Sequence, residues 1–454
     1  MVLVLTMVVL QSISFANYAL TTKTTNIIYG SAPYLTFDGG RTRVTNTEAL
    51  LGISLSDGRT FTPTTNNSSF DNPIVLPAIG QSFNDIGMLV PRNTDSIALS
   101  SLIGAPYNYW GDDDGDGQGI DGISATGSLK LSIVDKNYNS VDHNEVLDIC
   151  KAPYRLTLSN DGGILKTRYG VPNESRFNAG NAAYYINPNP NISSPVICVA
   201  KPLTVHDYGF STWDWRKNGF LTQSVTPSSY GSNFPTTGAN NLYFDLDIVG
   251  NNQALSWAPV SHGGITATMT NSTSTSVRVT LTGPFTTSYS NTPGQIARPS
   301  LPQTFELVGR DSSGNAVVKY GFKLKQWFVN RGKGRYDYSS ISSWCNNIGY
   351  YRVPKVKDLT NANCDSPCIS AKPSPWENHA SHYIGAGFFT EWEAMYNYTG
   401  ANFSRGGYYW TSDATPNNNL YAVSPFNGNI YFGYRDNNNN NNDYSKSYGL
   451  CVYP

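Results

Sequence analysis

Tyr338-Ser339-Ser340-Ile341-Ser342-Ser343-Trp344-Cys345 opens the stretch whose reading decides the fold, and Gly449-Leu450-Cys451-Val452 closes it. Four of the six cysteines fall between these two ends. Ile341, Trp344, Cys345 and Ile348 stand at i, i+3, i+4 and i+7, so the spacing predicts a short amphipathic helix, with serines to cap it and Gly349 to stop it. Behind it come Gly349-Tyr350-Tyr351-Arg352-Val353-Pro354-Lys355-Val356-Lys357-Asp358-Leu359-Thr360, then Gly407-Tyr408-Tyr409-Trp410-Thr411-Ser412-Asp413, an Asn-rich loop and the closing cysteine strand.

Everything before this stretch reads as β. Leu242, Phe244, Leu246 and Ile248 alternate with Tyr243, Asp245 and Asp247, and Val277, Val279 and Leu281 repeat the pattern, as do Ile265, Ala267 and Met269. Asp311-Ser312-Ser313-Gly314-Asn315 turns a strand over 304–308 into one over 316–328, which leads straight into the C-terminal stretch. Such a direct strand connection makes the two units one rigid rod. Further upstream Leu129, Leu131 and Ile133 alternate, and Tyr154, Leu156 and Leu158 run into an Asn160-Asp161-Gly162-Gly163 turn. The fold class is therefore mainly β, sandwich-like domains followed by a C-terminal α+β domain.

Charged residues make up 14% of the chain and the formal net charge is -1, which supplies no basic footprint for nucleic acid or an anionic membrane. Thirty Tyr, nine Trp and 41 Gly favour partners met through aromatic and polar contacts. Residues 1–16 are an apolar run ending Ser14-Phe15-Ala16, which fits a signal peptide without the usual basic start, or else a buried first strand. No later stretch is apolar enough to span a bilayer. Six cysteines behind an exported start read as three disulfides in an oxidising compartment, although they allow 15 pairings in principle.

The sharpest chemical motif is Gly111-Asp112-Asp113-Asp114-Gly115-Asp116-Gly117-Gln118-Gly119-Ile120-Asp121-Gly122. Asp112, Asp114 and Asp116 before Gly117 satisfy the D-x-D-x-D-G start of a calcium loop, and a register on Asp114, Asp116 and Gln118 fits equally. Loop position 12 is Ile123 instead of Glu, so an EF-hand is excluded and Asp121 has to close a Ca²⁺ shell. The competing reading is an exposed acidic turn. Glu377, His379 and His382 lack metal-ligand spacing and read as a surface loop, and no serine-hydrolase signature occurs. Glu391 and Glu393, the carboxylates a glycosidase would need, face apart on a helix, and Thr390 with Glu393 forms a capping box.

The C-terminal order of a helix with Trp344-Cys345, a Gly-Tyr-x-Arg-Val-Pro step, a Tyr-Trp-Thr-Ser strand and a last strand with a Cys resembles the C-type-lectin-like module that ends invasin and intimin. The resemblance implies that Cys345 pairs with Cys451, leaving Cys364 with Cys368 for a small loop; Cys150 and Cys198 then pair within the first domain. The Glu-Pro-Asn, Gln-Pro-Asp and Trp-Asn-Asp triplets of calcium-dependent sugar binding are absent. Gly30-Ser31-Ala32-Pro33-Tyr34-Leu35, Asp85-Ile86-Gly87-Met88-Leu89-Val90-Pro91 and Ile103-Gly104-Ala105-Pro106-Tyr107 are similar to the adhesion domain at the ends of large surface proteins of enteric bacteria.

Together these readings divide the chain into a leader over 1–16, a β-rich domain with the acidic loop over 17–202, an Ig-like β-sandwich over 203–329 and a lectin-like domain over 330–454. The resemblance implies a non-enzymatic, exported adhesin that meets a host cell-surface protein or glycan. The aromatic and amide-rich stretch near the end supplies the contact chemistry, since Tyr and Trp offer rigid area while Asn, Ser and Gly adapt. Tyr431, Tyr434 and Arg435, flanking the Asn tract, are the expected receptor contacts, against a merely solvated loop. A secreted carbohydrate-active enzyme, with two carboxylates ~5 to 9.5 Å apart across a cleft, and a structural surface-layer component are the alternatives.

Overall fold

The computed structural model describes residues 29–117, 122–190, 194–203, 212–362, 380–414, 419–433 and 446–454. The leader over 1–16, Asp121, Cys364, Cys368, Tyr434 and Arg435 lie outside them. The protein is mainly β, with sheets packed as sandwiches. Among the described residues no helix is long and apolar enough to cross a membrane.

Buried apolar side chains form two clusters, one from Leu35 to Ile186 and one from Ile197 to Val452. The first is built on a five-stranded sheet whose centre pairs Ser128–Val134 with Tyr154–Asn160, Leu131 opposite Leu158 and Ile133 opposite Leu156. The period-two pattern puts these residues on one face, and all of them are buried. A three-stranded sheet of Ile123–Thr126, Gly163–Thr167 and Glu174–Phe177 and two ribbons, Tyr34–Leu35 with Trp110–Gly111 and Ile53–Ser54 with Thr60–Phe61, also belong to this part.

In the second cluster a seven-stranded sheet faces a three-stranded one. Leu242–Val249 lies beside Ser276–Thr282 in the first of these, and Gln303–Arg310 pairs with Ala316–Leu324 in the second. Phe244, Phe305 and Phe322 meet between them, with ring centroids 5.9 Å apart for Phe244 and Phe322 and 5.1 Å for Phe305 and Phe322. A six-stranded sheet follows, ordered Thr237–Ala239, Gln326–Tyr336, Ser447–Tyr453, Tyr409–Ala414, Leu420–Val423, Ile430–Gly433. The strand expected over 316–328 is thus divided at Lys325, whose amide donates to the Thr236 carbonyl while the chain changes sheet. No linker intervenes, and the apolar core continues from one sheet into the other.

The helix predicted from the cysteine stretch forms over Tyr338–Asn347, with Ile341, Trp344 and Cys345 buried on its inner face. Its cap is Asp337, whose carboxylate accepts the Ser340 amide, and not one of the serines. An ionised acceptor one residue upstream outcompetes a hydroxyl for the orphan amides of the first turn. Cys345 on this helix is bonded to Cys451 on the closing strand.

Cys150 is bonded to Cys198, but not within one sheet assembly. Val196–Lys201 lies in the seven-stranded sheet between Gly219–Leu221 and Leu242–Val249. The bond therefore ties the first β part to the second. Beside it Lys136 Nζ meets Asp214 Oδ2 at 2.6 Å, both side chains almost wholly buried, and the Arg216 guanidinium lies 3.8 Å from the Phe70 ring centroid. A covalent bond, an ion pair and a cation–π contact thus hold this junction.

Candidate functional site

The closing sheet presents its aromatic residues on two faces. Tyr398, Phe403, Tyr409, Trp410, Tyr421 and Tyr448 are buried. Tyr409 and Trp410 break strict alternation, because the Trp410 indole reaches back to donate to the Tyr336 carbonyl while Tyr409 packs on Phe389 and Phe403. Tyr431, on the Ile430–Gly433 strand, is 37% exposed, and its ring lies 4.1 Å from that of Tyr408. On the turn of the same hairpin Phe426 stacks on Tyr396 at 5.9 Å, and the exposed Arg405 lies 5.6 Å from the Tyr396 centroid. The sequence places Tyr396, Tyr408 and Phe426 in the same aromatic stretch as Tyr431, but only Tyr431 of the four was expected as a contact. Their signal was only their position around one hairpin, and it becomes specific once Tyr431 is paired with Ala422 across the sheet.

The carboxylates behind this surface are structural. Gly387 caps the Phe388–Trp392 helix at φ 104, Thr390 is inside it, and Glu393 leaves it at φ 40, so the expected capping box does not form. Glu391 points instead into the protein, where it accepts bonds from the amides of Thr236, Thr237 and Gly385 and from both threonine hydroxyls. Burial pushes its carboxyl above the ordinary range and these donors pull it back. His382 is not a surface residue. Its ring stacks on Trp213 at 4.8 Å, and its Nε2 lies 2.6 Å from Glu393 Oε1. Glu377 and His379 lie outside the described residues. Neither glutamate lines an open cleft, since both are buried.

The acidic loop leaves the Trp110–Gly111 strand and turns through Gly115 at φ 76. One carboxylate oxygen from each of Asp112, Asp114 and Asp116 lies within 4.8 Å of the others. Asp112 Oδ2 accepts the Gly117 amide at 2.7 Å, and Asp114 Oδ2 accepts that of Ser31 at 2.7 Å. Asp113 turns away, binding the Tyr34 hydroxyl and the Arg43 guanidinium. Burial and then hydrogen bonding to Asp114 push the Asp112 carboxyl up, while the bond with Asp112 holds that of Asp114 down. The structure therefore brings three of the four expected acids together, and the fourth, Asp121, lies outside the described residues.

No family model matches this chain, and no curated protein matches it. Among solved structures it is similar to invasin, a bacterial integrin-binding protein, at 14% identity and a TM-score of 0.36, over 74% of this chain and 52% of that one. An intimin mutant from EHEC O157:H7 matches at 12% identity and a TM-score of 0.25, over 49% of this chain and 89% of that one. Domains 4 and 5 of the S-layer protein SbsC match at 10% identity and a TM-score of 0.14, over 66% of this chain and 98% of that one. The chain spans about half the length of the invasin structure it matches. The reading of the site therefore rests on its own residues.

Proposed function

We propose that this chain is the distal, receptor-binding part of an exported bacterial adhesin, without enzymatic activity, that meets a host cell-surface protein or glycan through a C-type-lectin-like tip. The observation that carries this reading is the helix of Tyr338–Asn347 stapled by Cys345–Cys451 to the closing strand of a sheet that ends in an aromatic hairpin. This is the connection that the ordered motifs of the C-terminal stretch imply. A rigid sheet holding paired tyrosines at its edge offers contact area at low entropy cost, and loops on such a scaffold carry recognition. Two disulfides fit an oxidising compartment.

Tyr431, with Tyr434 and Arg435 beyond it in the chain, is the proposed contact set, and Tyr408 supports Tyr431 from behind. A screen of the chain against arrayed glycans and host cell-surface proteins identifies the ligand class. Replacing Tyr431, Tyr434 and Arg435 by Ala is expected to weaken binding to host cells at least ~10-fold, because a few aromatic and Arg positions dominate interfaces. Stability should change by no more than about 1–2 kcal/mol, since Tyr431 is already 37% exposed and loses mainly its contact with Tyr408. Full binding by the stable triple variant would exclude this hairpin, and self-association without any host ligand would replace the adhesin reading by a surface-layer one.

A further inference from the structure

Among the described aspartates of the acidic loop, Asp116 is the one that the fold leaves uncompensated. Its side chain is more than nine-tenths buried, and both carboxylate oxygens are shut off from solvent without a hydrogen-bond donor. Its neighbours are served otherwise, Asp112 and Asp114 by backbone amides and Asp113 by Arg43. Gly170, at φ 93, closes over Asp116 so tightly that a Cβ there would collide with Oδ2. Ser31, whose amide holds Asp114, has a buried hydroxyl that is likewise without a partner. A buried carboxylate with neither donor nor counter-ion is strongly unfavourable, and two further carboxylates beside it compound the cost. Among the described residues no Lys or Arg pairs with Asp116.

We propose that Asp112, Asp114 and Asp116 bind one Ca²⁺ ion, with Asp116 as its buried anchor. The spacing suits that ion: oxygens at 2.3–2.6 Å from a common centre lie at most about 5 Å apart, and the three here lie within 4.8 Å of one another. Mg²⁺ needs about 2.1 Å bonds in near-ideal octahedral order, dehydrates reluctantly and takes one or two carboxylates with several waters, not a set of three. The bound ion adds a polar tie between segments that already share the first apolar core through Leu35 and Val44. Asp114 is fastened to Ser31, Asp113 to Tyr34 and Arg43, and Gly117 rests on Thr167 of the three-stranded sheet. Calcium thereby locks the segment from Ser31 to Arg43 onto the first β part, a stiffening role separate from receptor contact.

The test uses the full chain, stripped of metal by chelator. Calorimetric titration with CaCl₂ is expected to show one saturable site. Tb³⁺ should bind in its place and emit on excitation of Trp110, which packs against Gly117, until Ca²⁺ displaces it. At a hundredfold excess over Kd the melting temperature of the first β part should rise by roughly 5–10 °C. Asp116→Asn should weaken Ca²⁺ binding at least ~100-fold, and Asp71→Asn, at an exposed aspartate outside the loop, should leave it intact. In chelator Asp116→Asn should melt at or above the wild type, because it removes a buried charge that nothing balances. Absence of a saturable Ca²⁺ site in the wild type, or wild-type affinity in Asp116→Asn, overturns the proposal. So does an Asp116→Asn variant that melts well below the wild type in chelator, which would mean that the protein itself already satisfies the carboxylate.

Discussion

Replacing Cys345 and Cys451 together by Ala is expected to cost about 5 kcal/mol of stability, the denatured-state entropy released when so long a loop is opened in the chain-entropy model. The bond spans a sequence separation of 106 and both cysteines are fully buried, so the pair also packs where it cross-links. Alanine leaves small voids but no unpaired hydroxyls, which makes it a cleaner probe than serine. The loss should not be confined to the C-terminal module. One apolar core runs from Ile197 to Val452, so the sandwich and the module are expected to melt in one transition, lowered by roughly 10–20 °C. Scanning calorimetry of the double variant decides this. A fall of under about 1 kcal/mol would mean that the staple is not what holds helix to strand, and a separate early transition for residues 330–454 would mean that the shared core is not cooperative.

Much of this architecture was legible because its signals are local. Leu129, Leu131 and Ile133, and Leu242, Phe244, Leu246 and Ile248, alternate in the sequence and are buried in the structure. Ile341, Trp344, Cys345 and Ile348 share a helical face, and all four are inaccessible to solvent. Alternation tells which face of a strand is buried but not which sheet receives it. Val196–Lys201 was therefore read with the strands before it, whereas its four central residues are buried on both faces inside the next sheet. For the same reason the Cys150–Cys198 bond was expected within one domain and instead ties two sheet assemblies. The expected caps, the serines of the first helix and Thr390 of the later one, give way to Asp337 and Gly387, which lie upstream of the motifs. Of the candidate sites, the acidic loop was readable as a motif, but the burial of Asp116 beneath Gly170 comes from a segment more than fifty residues on and leaves no local trace. The pairing of Tyr431 with Tyr408 is likewise a product of the sheet.

Glu391→Ala is expected to destabilise the same core by about 4 kcal/mol or more, because it strands buried donors instead of merely removing a contact. Glu391 is fully buried, and its two oxygens accept the Thr236, Thr237 and Gly385 amides and both threonine hydroxyls at 2.5 to 3.2 Å. The helix of Phe388–Trp392 is thereby pinned to the first strand of the six-stranded sheet, 155 positions away, and the Trp392 indole donates to the Thr237 carbonyl beside it. In Glu391→Ala the two hydroxyls can turn to other acceptors, but the three amides cannot. Glu391→Gln should lose less, since its carbonyl oxygen still accepts one set of donors while its NH₂ opposes the other. The pH dependence has a definite sign. Because burial raises the folded-state pKa above the unfolded value, this group favours folding most below the ordinary glutamate range, and the advantage is lost as pH rises through the folded pKa. The wild type should therefore lose stability relative to Glu391→Gln as pH rises from about 4.5, while remaining well above Glu391→Ala throughout. Urea melts of the three proteins at several pH values measure both effects. An Ala variant as stable as the Gln variant would show that the amides find other acceptors, and that this carboxylate is not what joins the C-terminal helix to the sandwich.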